Sequence, residues 1–275
     1  MKRSAFRSPG KHSALVKTWR AVGKGKSESF FLEHSEAVME LLQAGSGPNQ
    51  LLLSTERYDS NPDRWEQLAR DHPETEWYLL PADLLDRTVS VRSTSGLCGL
   101  FSPRTHTLEE LLELPFLLVC WEVQDPGNVG TLIRSCAALT GGGVVTLGGC
   151  RPWSSKVARA SAGALFRTPL LALSTAGGDL LAALRASGYA LFSALPRGGQ
   201  APSEAFSDGR RVAVLIGNES HGLPSGVVEQ SRGLTISMRG DEESLNAGVA
   251  GSILCYQWSS SEASREQRAK GSMQC

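Results

Sequence analysis

The sequence predicts an α/β fold built on a parallel sheet with helices on both faces, and three observations carry that prediction. Phe116–Val123, Gly143–Leu147, Tyr189–Leu195, Val212–Ile216 and Leu234–Met238 are nearly continuous apolar runs of strand length, the pattern of strands buried on both faces. Helical stretches at Asn128–Leu139, Ser155–Leu165, Gly178–Ser187 and Leu245–Trp258 alternate with them, as crossovers between parallel strands require. Three polar clusters each stand behind an apolar run: Asp125-Pro126-Gly127-Asn128-Val129-Gly130 with Arg134 beyond, Gly217-Asn218-Glu219-Ser220-His221-Gly222, and Ser244-Leu245-Asn246. In an open α/β sheet the loops at the carboxyl ends of the strands converge on one crevice. Three such loops predict one composite site.

Taken in order, residues 1–27 form a basic arm. Lys2, Arg3, Arg7, Lys11, Lys17, Arg20, Lys24 and Lys26 fall there without a single acid, which suits a polyanion such as RNA or DNA and equally a solubilising tail. Residues 1–10 lack apolar periodicity and are expected to be mobile. Residues 28–105 read as a small α/β domain. Phe30–Leu32, Leu51–Leu53, Trp77–Leu80 and Gly99–Phe101 supply strand signals, and Ala37–Leu42 and Trp65–Arg70 supply helical ones. Residues 106–115 read as a linker carrying the helix Leu108–Leu114, stopped by Pro115. Residues 116–258 form the main domain. In its first helix Leu132, Ile133, Cys136 and Ala137 make one apolar stripe, with Arg134 off it. In its last helix Leu245, Val249, Ile253 and Leu254 repeat the stripe, while Gly248 and Gly251 allow a neighbouring backbone to come close. The Ser-rich stretch 259–275 is expected to be a flexible tail.

Composition narrows the function classes. The 275 residues are 41% apolar and 20% charged with zero net charge, as in a soluble globular protein long enough for two cores. Cys98, Cys120, Cys136, Cys150, Cys255 and Cys275 form no CxxC pair, and most stand in apolar surroundings, so reduced thiols in a cytoplasmic protein are expected. His12, His34, His72, His106 and His221 are scattered without ligand spacing, so no metal site is expected. The longest apolar run, around Phe116–Trp121, falls far short of a bilayer span. No apolar h-region follows the basic amino terminus, so no secretory signal is read.

Each polar cluster has a bland reading beside a chemical one. Asp125–Gly130 is a strand-to-helix turn in which Asn128 can cap amides. Arg134, one turn inside the helix, is placed either to clamp a phosphate or simply to be solvated. Glu219 either accepts hydrogen bonds from Asn128 or backbone amides, holding the site rigid, or only faces a helix dipole. Ser244 reads as a helix N-cap. The approach Ile236–Glu243, apolar and then Gly-containing, suits a flat heterocycle such as adenine. Gly141-Gly142-Gly143 precedes a strand, the wrong order for a dinucleotide fingerprint, and there is neither a GxxxxGK[ST] loop nor a GxSxG elbow. A Rossmann-type oxidoreductase is therefore disfavoured.

Together and in this order the clusters resemble the SpoU/TrmH family of the SPOUT methyltransferases. The resemblance rests on Asp125–Arg134 (DPGNVGTLIR), Leu215–Leu223 (LIGNESHGL), Ile236–Ala250 (ISMRGDEESLNAGVA) and the intervening Ser155–Pro169 (SKVARASAGALFRTP). Ser29–Glu33 followed by Ala37–Leu42 is similar to the ribosomal-protein-like RNA-binding domain of many members. The resemblance implies S-adenosyl-L-methionine as cofactor, a ribose 2′-hydroxyl of structured RNA as acceptor, a trefoil knot in the main domain and a homodimer with sites at the subunit interface. Carried over by motif position, Asn128, Arg134, Glu219, Ser244 and Asn246 are the expected catalytic set. Leu195, Gly217, Ile236 and Leu245 are the expected cofactor-binding set. Ser237 stands where members usually have proline, and His34 where glycine is common. A separate amino-terminal domain leans toward ribosomal over transfer RNA, with a non-catalytic RNA-binding paralogue as the alternative of another class. No membrane and no metal enter this reading.

Overall fold

The computed structural model describes residues 5–89, 95–174, 177–206, 210–240 and 243–272. Lys2, Arg3, Asp241, Glu242 and Cys275 lie outside that range. Contacts divide the chain into two compact units, one of Met1–Arg104 with Trp153–Phe166 and one of Thr105–Pro152 with Arg167–Cys275.

The first unit runs β1 (Phe6–Arg7), α1 (Ala14–Gly23), β2 (Phe30–Leu32), α2 (Ser35–Gln43), β3 (Gln50–Ser54), α3 (Thr55–Asp59), α4 (Pro62–Asp71), β4 (Glu76–Leu80), α5 (Ala82–Val89) and β5 (Leu97–Phe101). Its sheet has the order β1-β4-β3-β5-β2, parallel except where β5 pairs with β3 and β2. The basic arm expected over 1–27 is instead largely part of this fold. Val16, Trp19 and Val22 recur at helical spacing on α1 and are buried, with the Trp19 indole donating to Gln50 Oε1 at 2.7 Å. The charge count hid that apolar stripe. His34 needs no glycine-like backbone: its φ is −80°, and Nδ1 caps α2 by accepting from Ala37 N at 3.3 Å.

Trp153–Phe166, expected inside the main domain, packs in this first unit. Its α8 (Ser155–Ala160) ends early, and a 3-10 turn, Ala164–Phe166, follows. Left-handed Ala162 and Gly163 break the single helix expected over 155–165. Phe166 stacks on Phe30 and lies tilted against Phe101, Trp153 lies against Phe30, and Arg159 meets the Glu33 carboxylate at 2.6 Å. Burial raises the pKa of Glu33, and Arg159 offsets part of the rise.

The second unit contains α6 (Leu108–Leu112), β6 (Phe116–Trp121), α7 (Pro126–Leu139), β7 (Gly143–Leu147), β8 (Leu170–Leu173), α9 (Gly177–Ala186), β9 (Ala190–Ala194), α10 (Pro202–Ala205), β10 (Val212–Ile216), α11 (Ser225–Val228), β11 (Arg232–Leu234) and α12 (Ala247–Ser272). Its six strands run β11-β9-β10-β6-β7-β8, and every pairing is parallel. β6 is buried along its whole length, as its unbroken apolar run requires. Leu117, Val119 and Trp121 face a core shared with Leu111 of α6, Leu180, Leu181 and Leu184 of α9 and Val227 of α11. Alternate residues face the other way, where Phe116 packs on Trp258 of α12 with ring centroids 5.0 Å apart.

Several expectations shift here. Residues 106–115 are not a free linker: Leu111 is fully buried, and His106 is bonded to Leu170 through both its amide and Nδ1. β8 was missed because Leu170–Leu173 is short and half exposed. The strand expected over 234–238 ends at Leu234, where pairing with β9 stops. The flexible tail expected from 259 is the continuation of α12 to Ser272. Behind the serines that stretch is rich in Glu, Ala, Arg, Gln and Lys, which favour helix.

Candidate active site

The three clusters follow the ends of β6, β10 and β11, and Leu195 follows the end of β9. α7 begins with Asp125 as its N-cap, accepting from Asn128 N at 2.8 Å, so Asn128 is not the capping residue. Its side chain is free for another task and donates through Nδ2 to Glu219 Oε1 at 2.9 Å. Glu219 also accepts from the amides of Gln124 at 3.0 Å and Asp125 at 3.1 Å. Partial burial works against the charged carboxylate, but these bonds outweigh it and hold its pKa below the ordinary value. Glu219 thus clasps the loop ahead of α7, the rigid alternative left open by the sequence.

The third cluster meets the same point. A Cβ built on Gly248 would stand 3.2 Å from both Asn128 Oδ1 and Asn246 Oδ1, so the two asparagines flank one backbone position. A Cβ on Gly251 would fall 2.1 Å from Leu132 Cδ2. α12 therefore rests on α7 with no room for a side chain. Asn246, rather than Ser244, caps α12, its Oδ1 accepting from Val249 N at 3.2 Å. Ser244 lies two residues earlier, on the cavity wall.

That cavity, of about 650 Å³, is lined among others by Leu195, Gly217, Glu219, Ile236, Ser244, Leu245 and Asn246. Asn128 stands behind Glu219 and does not line it. Arg134 is exposed on α7 and does not line it either. Among the described lining residues there is no Lys or Arg, while Glu219 and Glu243 are present beside apolar Ile216, Leu234 and Leu254. Such a wall suits a ligand that is cationic and partly apolar. A pyrophosphate-bearing dinucleotide would want cations or a glycine-rich helix start instead. No cluster among the described residues could hold a metal ion.

Sequence reasoning passed over Asn218. It is buried and donates to Glu122 O at 2.8 Å, while its Oδ1 accepts from Ser220 N at 2.8 Å and His221 N at 3.4 Å. The available signal was its place between a strand end and Glu219, where an Asx turn is expected. Cys120, Cys136 and Cys255 are buried behind the site, and burial pushes the Cys136 thiol up to about 12, so they are inert packing groups. Half-buried Cys150 is likewise raised, to about 11.

Fold and site together define an α/β protein with a composite ligand site at the ends of parallel strands. Residues 115–256, just over half of the chain, match the SpoU rRNA Methylase family, and the chain belongs to that family. It is 27% identical over 266 residues to an uncharacterized tRNA/rRNA methyltransferase of Synechocystis sp., covering 93% of this chain and 92% of that one. It is 25% identical over 252 residues to the 23S rRNA (guanosine(2553)-2'-O)-methyltransferase RlmP of Bacillus subtilis, covering 88% and 94%. In structure it is similar to the AdoMet-bound rRNA methyltransferase from Sinorhizobium meliloti (TM-score 0.80, 22% identity, 92% of this chain and 97% of that one). It is also similar to the AdoMet complex of the SpoU methyltransferase AviRb from Streptomyces viridochromogenes (TM-score 0.78, 23% identity, 92% and 99%). At those identities the structural likeness establishes the α/β fold.

Proposed function

We propose that this protein transfers a methyl group from S-adenosyl-L-methionine to a ribose 2′-hydroxyl of ribosomal RNA. The observation that carries the proposal is the convergence of Asn128, Glu219 and Asn246 beside a cavity whose charged wall groups are carboxylates. S-adenosyl-L-methionine, with a cationic sulfonium and a flat adenine, fits that wall and brings an already activated methyl group. Leu195, Ile236 and Leu245 would hold its heterocycle, with the backbone around Gly217 supplying polar contacts.

The chain's own residues then have to align a hydroxyl and ease its proton away. Glu219 keeps Asn128 and the loop before α7 in place, and Ser244 and Asn246 orient the ribose. Arg134 binds the adjacent phosphate and steadies charge developing on the 2′-oxygen. A guanidinium stays protonated, so the proton leaves to phosphate or water. The exposure of Arg134 away from its own cavity supports a homodimer in which the Arg134 of one copy serves the cavity of the other. The trefoil knot and the cytoplasmic setting belong to the same reading.

For the first unit we propose RNA binding. α1 and its C-cap carry Lys17, Arg20 and Lys24 at helical spacing, away from the buried Val16, Trp19 and Val22. Cations at that spacing can follow a phosphate backbone. Transfer RNA is the second acceptor class, which the relative of mixed name keeps in view. Mapping 2′-O-methyl nucleotides by mass spectrometry in RNA from cells with and without the gene tests the proposal. A ribosomal RNA site lost with the gene supports it, and a transfer RNA site, or no difference, overturns it.

A further inference from the structure

We infer that Glu122 and His221 form a substrate-positioning pair at the rim of the cavity, with the His221 imidazole donating to a phosphate oxygen of the bound RNA. This inference rests on the reading of the cavity as an RNA methyltransferase site.

Glu122 follows β6 directly and has φ +53°, one of two described non-glycine residues with positive φ. That conformation is uphill for any residue with a Cβ, and glycine adopts it freely. The backbone reason is plain: the turn aims the Glu122 carbonyl at Asn218 Nδ2, 2.8 Å away. A glycine would deliver the same carbonyl at less cost, so the backbone does not explain a glutamate. Its side chain does. The carboxylate stands 4.0 Å from His221 Nε2, and a Cβ on Gly148 would lie 3.4 Å from Glu122 Cγ, so the stem rests over a glycine.

Stability does not explain the carboxylate either. The side chains are 48% and 62% exposed, and an exposed pair at this separation contributes little to folding. His221 lines the cavity, on the short loop that Asn218 ties down through Ser220 N and His221 N. The Asn218 bond accounts for the strained turn but not for the carboxylate, and a carboxylate without a stabilising role on such a residue beside the cavity points to a functional position. Glu122 steadies the ring at its Nε2 edge and leaves Nδ1 to the nucleic acid. Glu122 is a positioning residue, and His221 is the group that touches substrate.

The test compares Glu122→Gly, His221→Ala and the double variant with the wild-type protein, using large-subunit ribosomal RNA transcribed in vitro. Glu122→Gly should leave the thermal midpoint unchanged or higher and the affinity for S-adenosyl-L-methionine unchanged. It should raise the RNA KM and the RNA dissociation constant about tenfold, the worth of one charge-assisted hydrogen bond. His221→Ala should match it in RNA KM and RNA affinity, and the double variant should be no worse than either. RNA affinity within twofold of wild type overturns the inference. So does a weakened cofactor affinity or a lowered midpoint in Glu122→Gly, or additive losses in the double variant. A wild-type protein that binds the RNA but transfers no methyl group sinks the methyltransferase reading instead, and the binding constants still decide the role of the pair.

Discussion

The loops behind β6 and β10 are tied to each other atom by atom, whereas the stretch from Leu234 to Asn246 is hydrogen-bonded at its ends among the described residues. Glu219 and Asn218 between them fasten Glu122, Gln124, Asp125 and Asn128. On the other stretch, Thr235 is bonded to Gln200, Leu195 and Gly199, and Asn246 to the start of α12. Between those ends Ile236, Met238, Ser244 and Leu245 face the cavity. One side of the site is built before any ligand arrives. The other is held at its two ends, with the described residues between them facing the cavity.

The comparison can be broken at several points. The largest effect is expected outside both loops. Arg134→Ala should lower kcat about 10²–10³-fold, the usual worth of one charge-stabilising donor, while S-adenosyl-L-methionine affinity measured by calorimetry stays put. Next is the tied side. Glu219→Ala strands Asn128 and two amides, so it should cost about 1–2 kcal/mol in urea unfolding as well as most of the activity. Ser244→Ala, on the open side, should lower kcat with no change in the unfolding midpoint. If both variants unfold like wild type, the contrast between the two sides fails.

Ligand binding sharpens the contrast. At a hundred times its dissociation constant S-adenosyl-L-methionine should add about 2.7 kcal/mol to stability. Amide exchange should slow more over 235–240 than over 122–128, and equal protection of both would speak against it. A smaller effect follows from pH. The Glu219 pKa is held below its ordinary value, so its ionised form favours the fold. That contribution is complete above the ordinary carboxylate pKa and is lost as pH falls through the lowered folded value. The midpoint difference between wild type and Glu219→Gln should therefore shrink below about pH 4. The smallest effect is expected on α1, where Lys17→Ala should reduce the salt slope of RNA binding by about one, the signature of one phosphate contact.

How much was legible in the chain depends on the range of the signal. The apolar runs of β6, β7 and β10 and the helix expected over 128–139 were readable because burial on both faces, and burial of one face, leave different periods over a few residues. β8 was not, being short and half exposed, and α1 was hidden because its charge drew attention away from Val16, Trp19 and Val22. At the site the three clusters were visible as polar interruptions. Asn218 was not singled out, because its value lies in a carbonyl ninety-six positions away in sequence.

The amino-acid sequence by itself determined the parallel α/β class, the three strand-end clusters and the family they resemble, since each is written in residues that are neighbours in the chain. Only the tertiary structure decided that Asp125 caps α7 and frees Asn128 for Glu219, that Asn246 caps α12, that Arg134 stands apart from its own cavity, and that Glu122 is bent toward Asn218. Those outcomes depend on strand order. It sets β6 beside β10 and brings together side chains ninety-one residues apart, a juxtaposition that no local pattern encodes.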